Sequence, residues 1–378
     1  MKKIALIGST GSIGRQTLSV VRRNPDKFKI VSLAAGNNAG EFFKQVEEFK
    51  PQVATLSAEL PEGEKLTNGV EFFSGEDAFK KAIIQDADVV VVALVGFKGI
   101  IAVMDAIEKG KDVALANKES LVVGGGLVIN RAKEKGVKIL PVDSEHSAIW
   151  QSLDFDFEKP FKKLILTCSG GAFRDCTKEQ LKRVSAKDAL KHPNWNMGAK
   201  ITVDCATLVN KAFEVVEAKW LYNASFDKID VIIHRESIIH SMVEFNDGGI
   251  IAQLSYPSME LPISLALTYP ERLNCGLESV NFAKLKSLTF EEIDKERFPC
   301  FDLVIDAAKA GGVYPAVANG ANEECVKLFL EGRISFNDIY KGIYGALQSY
   351  DGGQHLTMEE FSEANAFAVN YVKFLFGV

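Results

Sequence analysis

Hydrophobic and polar positions along the first 140 or so residues fall into two alternating textures. Short apolar runs at Lys3–Ile7, Ile30–Ala35, Val53–Leu56, Asp88–Leu94, Asp112–Ala116 and Lys138–Pro141 have the length and β-branched content of buried strands. Between most of them lie amphipathic stretches with apolar residues at helical spacing, such as Ile13–Arg23, Ala39–Phe49 and Ile100–Lys109. Strand and helix in this succession predict a parallel sheet with helices on both faces.

From about Phe161 the texture changes. Lys163–Thr167 reads as a strand entering Ser169-Gly170-Gly171, and a polar, lysine-rich stretch follows as far as Gly198. Ile201–Asp204 leads into a helix ending near Leu221. Strands are predicted at Val231–His234, Ile239–Phe245 and Ile250–Ser255, the last two joined by the hairpin signal Asn246-Asp247-Gly248-Gly249. The stretch holding Pro262, Pro270 and Pro299 reads as a turn-rich connector, and helical spacing returns at Val317–Leu330 and Phe361–Phe376. The predicted class is α/β. A Rossmann-like doubly wound parallel sheet spans 1–142, and an α+β domain spans 143–260 with a candidate lid at about 169–199. A connector follows over 261–300, then a carboxy-terminal helical bundle over 301–378.

Composition narrows the partners. A chain of 378 residues with 47% hydrophobic and 25% charged residues can bury more than one core. A net charge of -6 argues against a general nucleic-acid binder but leaves room for a local basic pocket. The six cysteines form no C-x-x-C pair, which disfavours structural zinc and a disulfide framework. The apolar run after Lys2 and Lys3 stops at Gly8, too soon for a signal peptide, and no stretch is apolar enough to span a membrane. A reduced, cytoplasmic protein is expected.

Gly8-Ser9-Thr10-Gly11-Ser12-Ile13-Gly14 lies between the first strand and the first helix. Glycines there let the backbone approach a pyrophosphate, and the helix amino terminus offers free N–H groups and a positive dipole end. The spacing is G-x-x-G-x-x-G rather than G-x-G-x-x-G, and a plain tight turn is the alternative. The second strand ends in Ala35-Gly36-Asn37-Asn38, without the carboxylate that holds a ribose 2′-hydroxyl in NAD sites. That absence leans toward NADP, although no Arg or Lys stands in the turn.

Ligands of open parallel sheets bind beyond the carboxyl ends of the strands. Asn117-Lys118-Glu119-Ser120 and Asp143-Ser144-Glu145-His146 fall there. Asp143 and Glu145 alternate by two beside an extended segment and offer hard oxygens suited to Mg²⁺ or Mn²⁺; they equally suit a helix amino-terminal cap. Asn210 and Glu214, four apart, share a helical face beside Lys211. That trio suits a phosphorylated, hydroxylated ligand near a metal, or simply a solvated face. The candidate lid ends in His192-Pro193-Asn194-Trp195-Asn196-Met197-Gly198, with glycine and proline at positions fit for hinges. The alternative is a surface loop with Trp195 packed on the core.

In order and separation, GSTGSIG, ANKE, PVDSEH, SGG, HPNW-x-MG and NKAFEVVEA resemble the 1-deoxy-D-xylulose 5-phosphate reductoisomerase family over nearly the whole chain. The resemblance implies an NADPH- and metal-dependent enzyme that converts that sugar phosphate to 2-C-methyl-D-erythritol 4-phosphate in isoprenoid precursor synthesis, as a homodimer, with the α+β domain catalytic. It implies cofactor contacts at Thr10, Gly11, Ser12, Ile13, Gly36, Asn37, Asn38, Asn117, Glu119 and Gly198. It implies metal carboxylates at Asp143, Glu145 and Glu214, which with Lys118 form the catalytic set. Substrate contacts are implied at Lys118, Ser144, Glu145, Ser169, His192, Trp195, Cys205, Asn210, Lys211, Glu214, Ser237 and His240. Two positions depart from the family's pattern. Asn37 stands where Lys or Arg is commoner, and Cys205 replaces the serine of V-D-S-A-T, putting a weaker donor toward the phosphate. Another NADP-linked reductase on the same scaffold, or a non-catalytic dinucleotide sensor, are the competing readings.

Overall fold

The structure, a computed structural model, describes residues 1–59, 69–195, 197–353 and 356–378. The chain divides into two compact units. One comprises Met1–Asn117, Val128–Ser147 and Ser258–Leu277; the other comprises Lys118–Leu127, Ala148–Pro257 and Glu278–Val378.

The first unit is built on seven parallel strands: β1 (Lys2–Ile7), β2 (Phe28–Ala35), β3 (Val53–Leu56), β4 (Glu71–Ser74), β5 (Val89–Val92), β6 (Asp112–Leu115) and β7 (Ile139–Pro141). Their order is β4-β3-β2-β1-β5-β6-β7. The order reverses between β1 and β5, so the glycine-rich turn after β1 sits at the switch point of a doubly wound sheet, where such sheets bind ligands. Its middle strands are buried on both faces, which is why they read as uninterrupted apolar runs. The short edge strand β4 is partly exposed and has no such run, so periodicity did not mark it.

The proline-bearing stretch read as a connector contains a helix, Glu260–Thr268, that belongs to this unit. Pro262 sits in its first turn, where no N–H is needed, so the proline does not oppose the helix. The helix packs against helix Ser12–Arg23 and strands β6 and β7, with Ile263, Leu265, Ala266 and Leu267 buried. Glu260 pairs with Arg23, and Lys2 donates to the Leu267 carbonyl at 2.7 Å.

The second unit contains a mixed five-stranded sheet of β8 (Lys163–Cys168), β9 (Ile229–Ile233), β10 (Ile239–Glu244), β11 (Ile250–Leu254) and β12 (Glu291–Glu292), in the order β11-β10-β8-β9-β12. β10 and β11 form the predicted hairpin, and β8 and β9 run parallel. In place of one helix ending near Leu221 there are two, Ala199–Thr207 and Val209–Leu221, broken at Leu208 in the left-handed conformation (φ 62°). The polar stretch after Gly171 includes two single-turn helices, Lys178–Leu181 and Ala186–Ala189, each opened by a capping box. Helices Cys300–Ala310, Tyr314–Leu330, Phe336–Ser349 and Met358–Phe376 form the carboxy-terminal bundle. Among the described residues, no helix is long and apolar enough to cross a membrane.

Candidate active site

In the first unit the glycine loop folds as its sequence requires. Gly8 takes φ +96°, and the N–H groups of Gly8 and Ser9 both donate to the Ala34 carbonyl at 2.9 Å. Gly11 is the cap of helix Ser12–Arg23 and has no side chain with which to cap the first-turn N–H groups. A Cβ on Gly14 would lie 2.2 Å from the Gly8 carbonyl oxygen and 2.5 Å from that of Ser9. Thr10, Ser12 and Ile13 are partly exposed beside this cradle, and Gly11 is exposed. Close backbone packing with an uncapped helix start suits a pyrophosphate.

After β2, Asn38 accepts from the Glu41 N–H and so caps helix Ala39–Phe49, while Asn37 is exposed. Asn117 is fully buried and donates to the Leu94 and Gly96 carbonyls at 3.0 Å each, joining the ends of β5 and β6. Asp143 and Glu145 do not lie along an extended segment. The strand stops at Pro141 and helix Ser144–Ser152 begins at once. Asp143 accepts the Ser144 N–H at 2.9 Å, and the Ser144 hydroxyl donates to Glu145 at 2.5 Å. Both carboxylates stay partly exposed at the start of that helix.

In the second unit, the break at Leu208 starts a new helix whose first turns carry Asn210, Lys211 and Glu214, all buried. Lys118 Nζ donates to Asn210 Oδ1 at 2.8 Å and to Glu214 Oε1 at 2.9 Å. Asn210 also donates to Glu214, so the predicted shared face is realised. Lys211 pairs with Glu214 and donates to the Thr167 carbonyl. Within this unit the cluster gathers two ammonium groups, one carboxylate and one amide, a composition that accepts a phosphate dianion. Nearby, burial and the charge of Glu214 push the Cys205 thiol well above its ordinary range, so it is a neutral group, not a thiolate.

Ser169 Oγ lies 2.9 Å from His192 Nε2. The N–H groups of Asn194 and Trp195 donate to His192 Nδ1, which places the ring proton on Nε2 and makes Ser169 its acceptor. His240 Nε2 lies 3.2 Å from the Ser255 carbonyl and 3.0 Å from its hydroxyl, and Trp195 meets the His240 ring edge-on at 6.0 Å. Ser237 has φ +52°, in a turn held by the Ile238 N–H donating to His234. No motif marked His234, whose partners Thr289 and Glu236 come from elsewhere in the chain and from its own turn.

Burial lowers both His192 and His240 to about 4, aided at His192 by Arg174. The unfolded chain, with imidazoles near their ordinary value, protonates first as pH falls. Their contribution to stability is therefore full above about pH 6.5 and is lost down to about pH 4. The urea midpoint is expected to fall between about pH 6.5 and about pH 4.5, less steeply in His240→Gln than in the wild type. Parallel curves for the two proteins would contradict a neutral, buried His240.

A glycine cradle at the switch point of one sheet, and a buried lysine–carboxylate cluster in the second unit, define a dinucleotide-dependent enzyme of a small anionic substrate. Family models described as 1-deoxy-D-xylulose 5-phosphate reductoisomerase match residues 4–125, and its carboxy-terminal domains match 139–222 and 254–371. The chain belongs to the 1-deoxy-D-xylulose 5-phosphate reductoisomerase family. It is 47% identical over 382 residues to the enzyme of that name from Chlorobaculum tepidum, with 100% of each chain covered. Among solved structures, it is similar to the Zymomonas mobilis reductoisomerase in complex with NADPH (36% identity, TM-score 0.90, 99% of each chain). A reductoisomerase in complex with NADPH, fosmidomycin and magnesium matches at 35% identity and TM-score 0.93, over 100% of this chain and 98% of the other.

Proposed function

We infer that this chain carries out its family's reaction, rearranging 1-deoxy-D-xylulose 5-phosphate and reducing it to 2-C-methyl-D-erythritol 4-phosphate with NADPH and a divalent cation, a step toward isoprenoid precursors. The observation that carries the reading is the buried Lys118–Asn210–Lys211–Glu214 cluster. Such a cluster suits an oxygen-rich phosphate ester and would be costly to keep without a ligand.

The roles follow from chemistry and family likeness. The turn at Thr10–Ile13 holds the pyrophosphate, and Gly36, Asn37 and Asn38 face the 2′-phosphate, with no carboxylate to repel it. Asn117, Glu119 and Gly198 complete the cofactor contacts. Asp143, Glu145 and Glu214 offer three hard carboxylates and no thiolate, a donor set that fits Mg²⁺ or Mn²⁺. An ion held there would act as a Lewis acid toward the substrate oxygens. Lys118 adds positive charge beside the reacting carbonyl. Ser144, Ser169, His192, Cys205, Asn210, Lys211, Ser237 and His240 orient the substrate. Remote grip of a phosphate can lower a barrier by roughly 7–11 kcal/mol in favourable cases. Trp195 closes with the lid and excludes water. The proposed assembly is a cytoplasmic homodimer.

NADPH absorbance is expected to fall when purified protein meets 1-deoxy-D-xylulose 5-phosphate with Mg²⁺ or Mn²⁺. It is expected to hold steady after chelation and to resume its fall on metal addition. Full activity after chelation would favour the other NADP-linked reductase. NADPH binding with no oxidation under either metal would leave only a dinucleotide sensor.

A further inference from the structure

The second unit also holds an ionic network that joins the assigned Glu119 to residues with no role assigned above. Lys200 Nζ lies 2.7 Å from Glu119 Oε1 and 2.8 Å from Asp204 Oδ2, and over the Phe213 ring at 5.3 Å. Asn322 donates to the other Asp204 oxygen at 2.8 Å. Glu119 and Asp204 are nearly solvent-free. Burial works against the charge of Glu119, yet Lys200 outweighs it and holds the carboxyl below its ordinary range. Burial likewise opposes the charge of Lys200, and Asp204 and Glu119 raise its pKa nonetheless. Glu323, half-buried close by, is pushed up to about 7. Lys200 is the ammonium group that both buried carboxylates contact, so the arrangement is not an incidental surface pair.

Its placement says what it does. Glu119 opens helix Glu119–Lys135, immediately after Lys118. Lys200 lies in the first turn of helix Ala199–Thr207, whose cap is Gly198, and the Gly198 carbonyl accepts from the Thr202 N–H and hydroxyl. Glu119 and Gly198 are the cofactor contacts assigned to this unit, and they lie on separate helix starts. Lys200 ties one start to the other, and Asn322 braces Asp204 from helix Tyr314–Leu330.

We propose that Lys200 is a positioning residue for NADPH: its ammonium group fixes Glu119 and the Gly198 helix start in the register that binds the cofactor, without touching the sugar phosphate. This rests on the assignment of Glu119 and Gly198 as cofactor contacts.

The test is direct titration of NADPH, followed by fluorescence, with wild type, Lys200→Met, Lys200→Arg and Asp204→Asn, alongside thermal melting. Lys200→Met is expected to raise the NADPH Kd roughly tenfold or more, the loss of hydrogen bonds between charged groups. The KM for the sugar phosphate at saturating NADPH is expected to stay within about twofold. Lys200→Arg should recover part of the affinity, and Asp204→Asn should move the NADPH Kd the same way by a smaller factor. If Lys200→Met does not fold, Asp204→Asn decides alone. A lowered melting temperature with unchanged NADPH Kd would make the network structural and overturn the proposal, as would a loss confined to sugar-phosphate binding. A wild type that binds NADPH but does not turn over the sugar phosphate would sink the proposed reaction and leave this inference standing. A wild type that binds no NADPH would sink both.

Discussion

Glu214→Gln is expected to lower kcat/KM by about 10²–10³-fold or more, the range for removing one charged group from a preorganised site. The side chain is almost wholly buried and receives hydrogen bonds from Lys118 and Asn210 and the charge of Lys211. The amide substitution keeps the volume but removes the charge that balances two buried ammonium groups. Leaving a buried charge without its partner costs about 3–5 kcal/mol. Two effects then combine: Lys118 loses its anchor, and the proposed metal site loses a carboxylate. Steady-state kinetics across a Mg²⁺ series separates them. Weakened metal binding shifts the concentration needed for half-maximal rate, and a displaced Lys118 lowers the rate at saturating metal. A variant within about tenfold of wild type at every Mg²⁺ concentration would remove Glu214 from the metal set.

Gly14→Ala is expected to abolish NADPH binding at micromolar concentrations and to destabilise the chain by about 1–3 kcal/mol, the cost of overpacking where neighbours cannot repack. The new Cβ would sit 2.2 Å from the Gly8 carbonyl oxygen and 2.5 Å from that of Ser9. Both are backbone atoms, so no change of rotamer relieves the clash, and the loop itself must shift. Gly40→Ala is the contrasting variant. Its Cβ meets nothing within 4 Å inside helix Ala39–Phe49, so a gain of about 0.5–1 kcal/mol is expected. NADPH titration and thermal melting on both variants check the pair of expectations. A Gly14→Ala protein that melts early yet binds NADPH normally would show that this glycine serves helix packing and not the cofactor.

Much of the first unit was legible because its signals are local. Buried parallel strands appear as apolar runs, and the glycine turn lies where strand gives way to helix. Helix Glu260–Thr268 was not legible. Its prolines suggest a connector, and only packing against helix Ser12–Arg23 and β6 and β7 makes it a helix. Strand β4 is partly exposed with no buried apolar run and β12 has only two residues, so only their pairing with β3 and β9 defines them.

The site divides the same way. The four-residue spacing of Asn210 and Glu214 gave their shared face, and the ordered motifs gave the family, because both depend on residue type and separation alone. The helix beginning at Ser144 fits the amino-terminal-cap reading of Asp143 and Glu145, whereas the break at Leu208 had no such mark. Nor did the pairing of Lys200 with Glu119, 81 residues apart in sequence, or of Lys118 with Glu214, 96 apart. Local periodicity fixes which face of an element is buried. Which charge meets which is decided only when distant segments pack, because a buried ion pair must be satisfied in three dimensions and leaves no regular spacing behind.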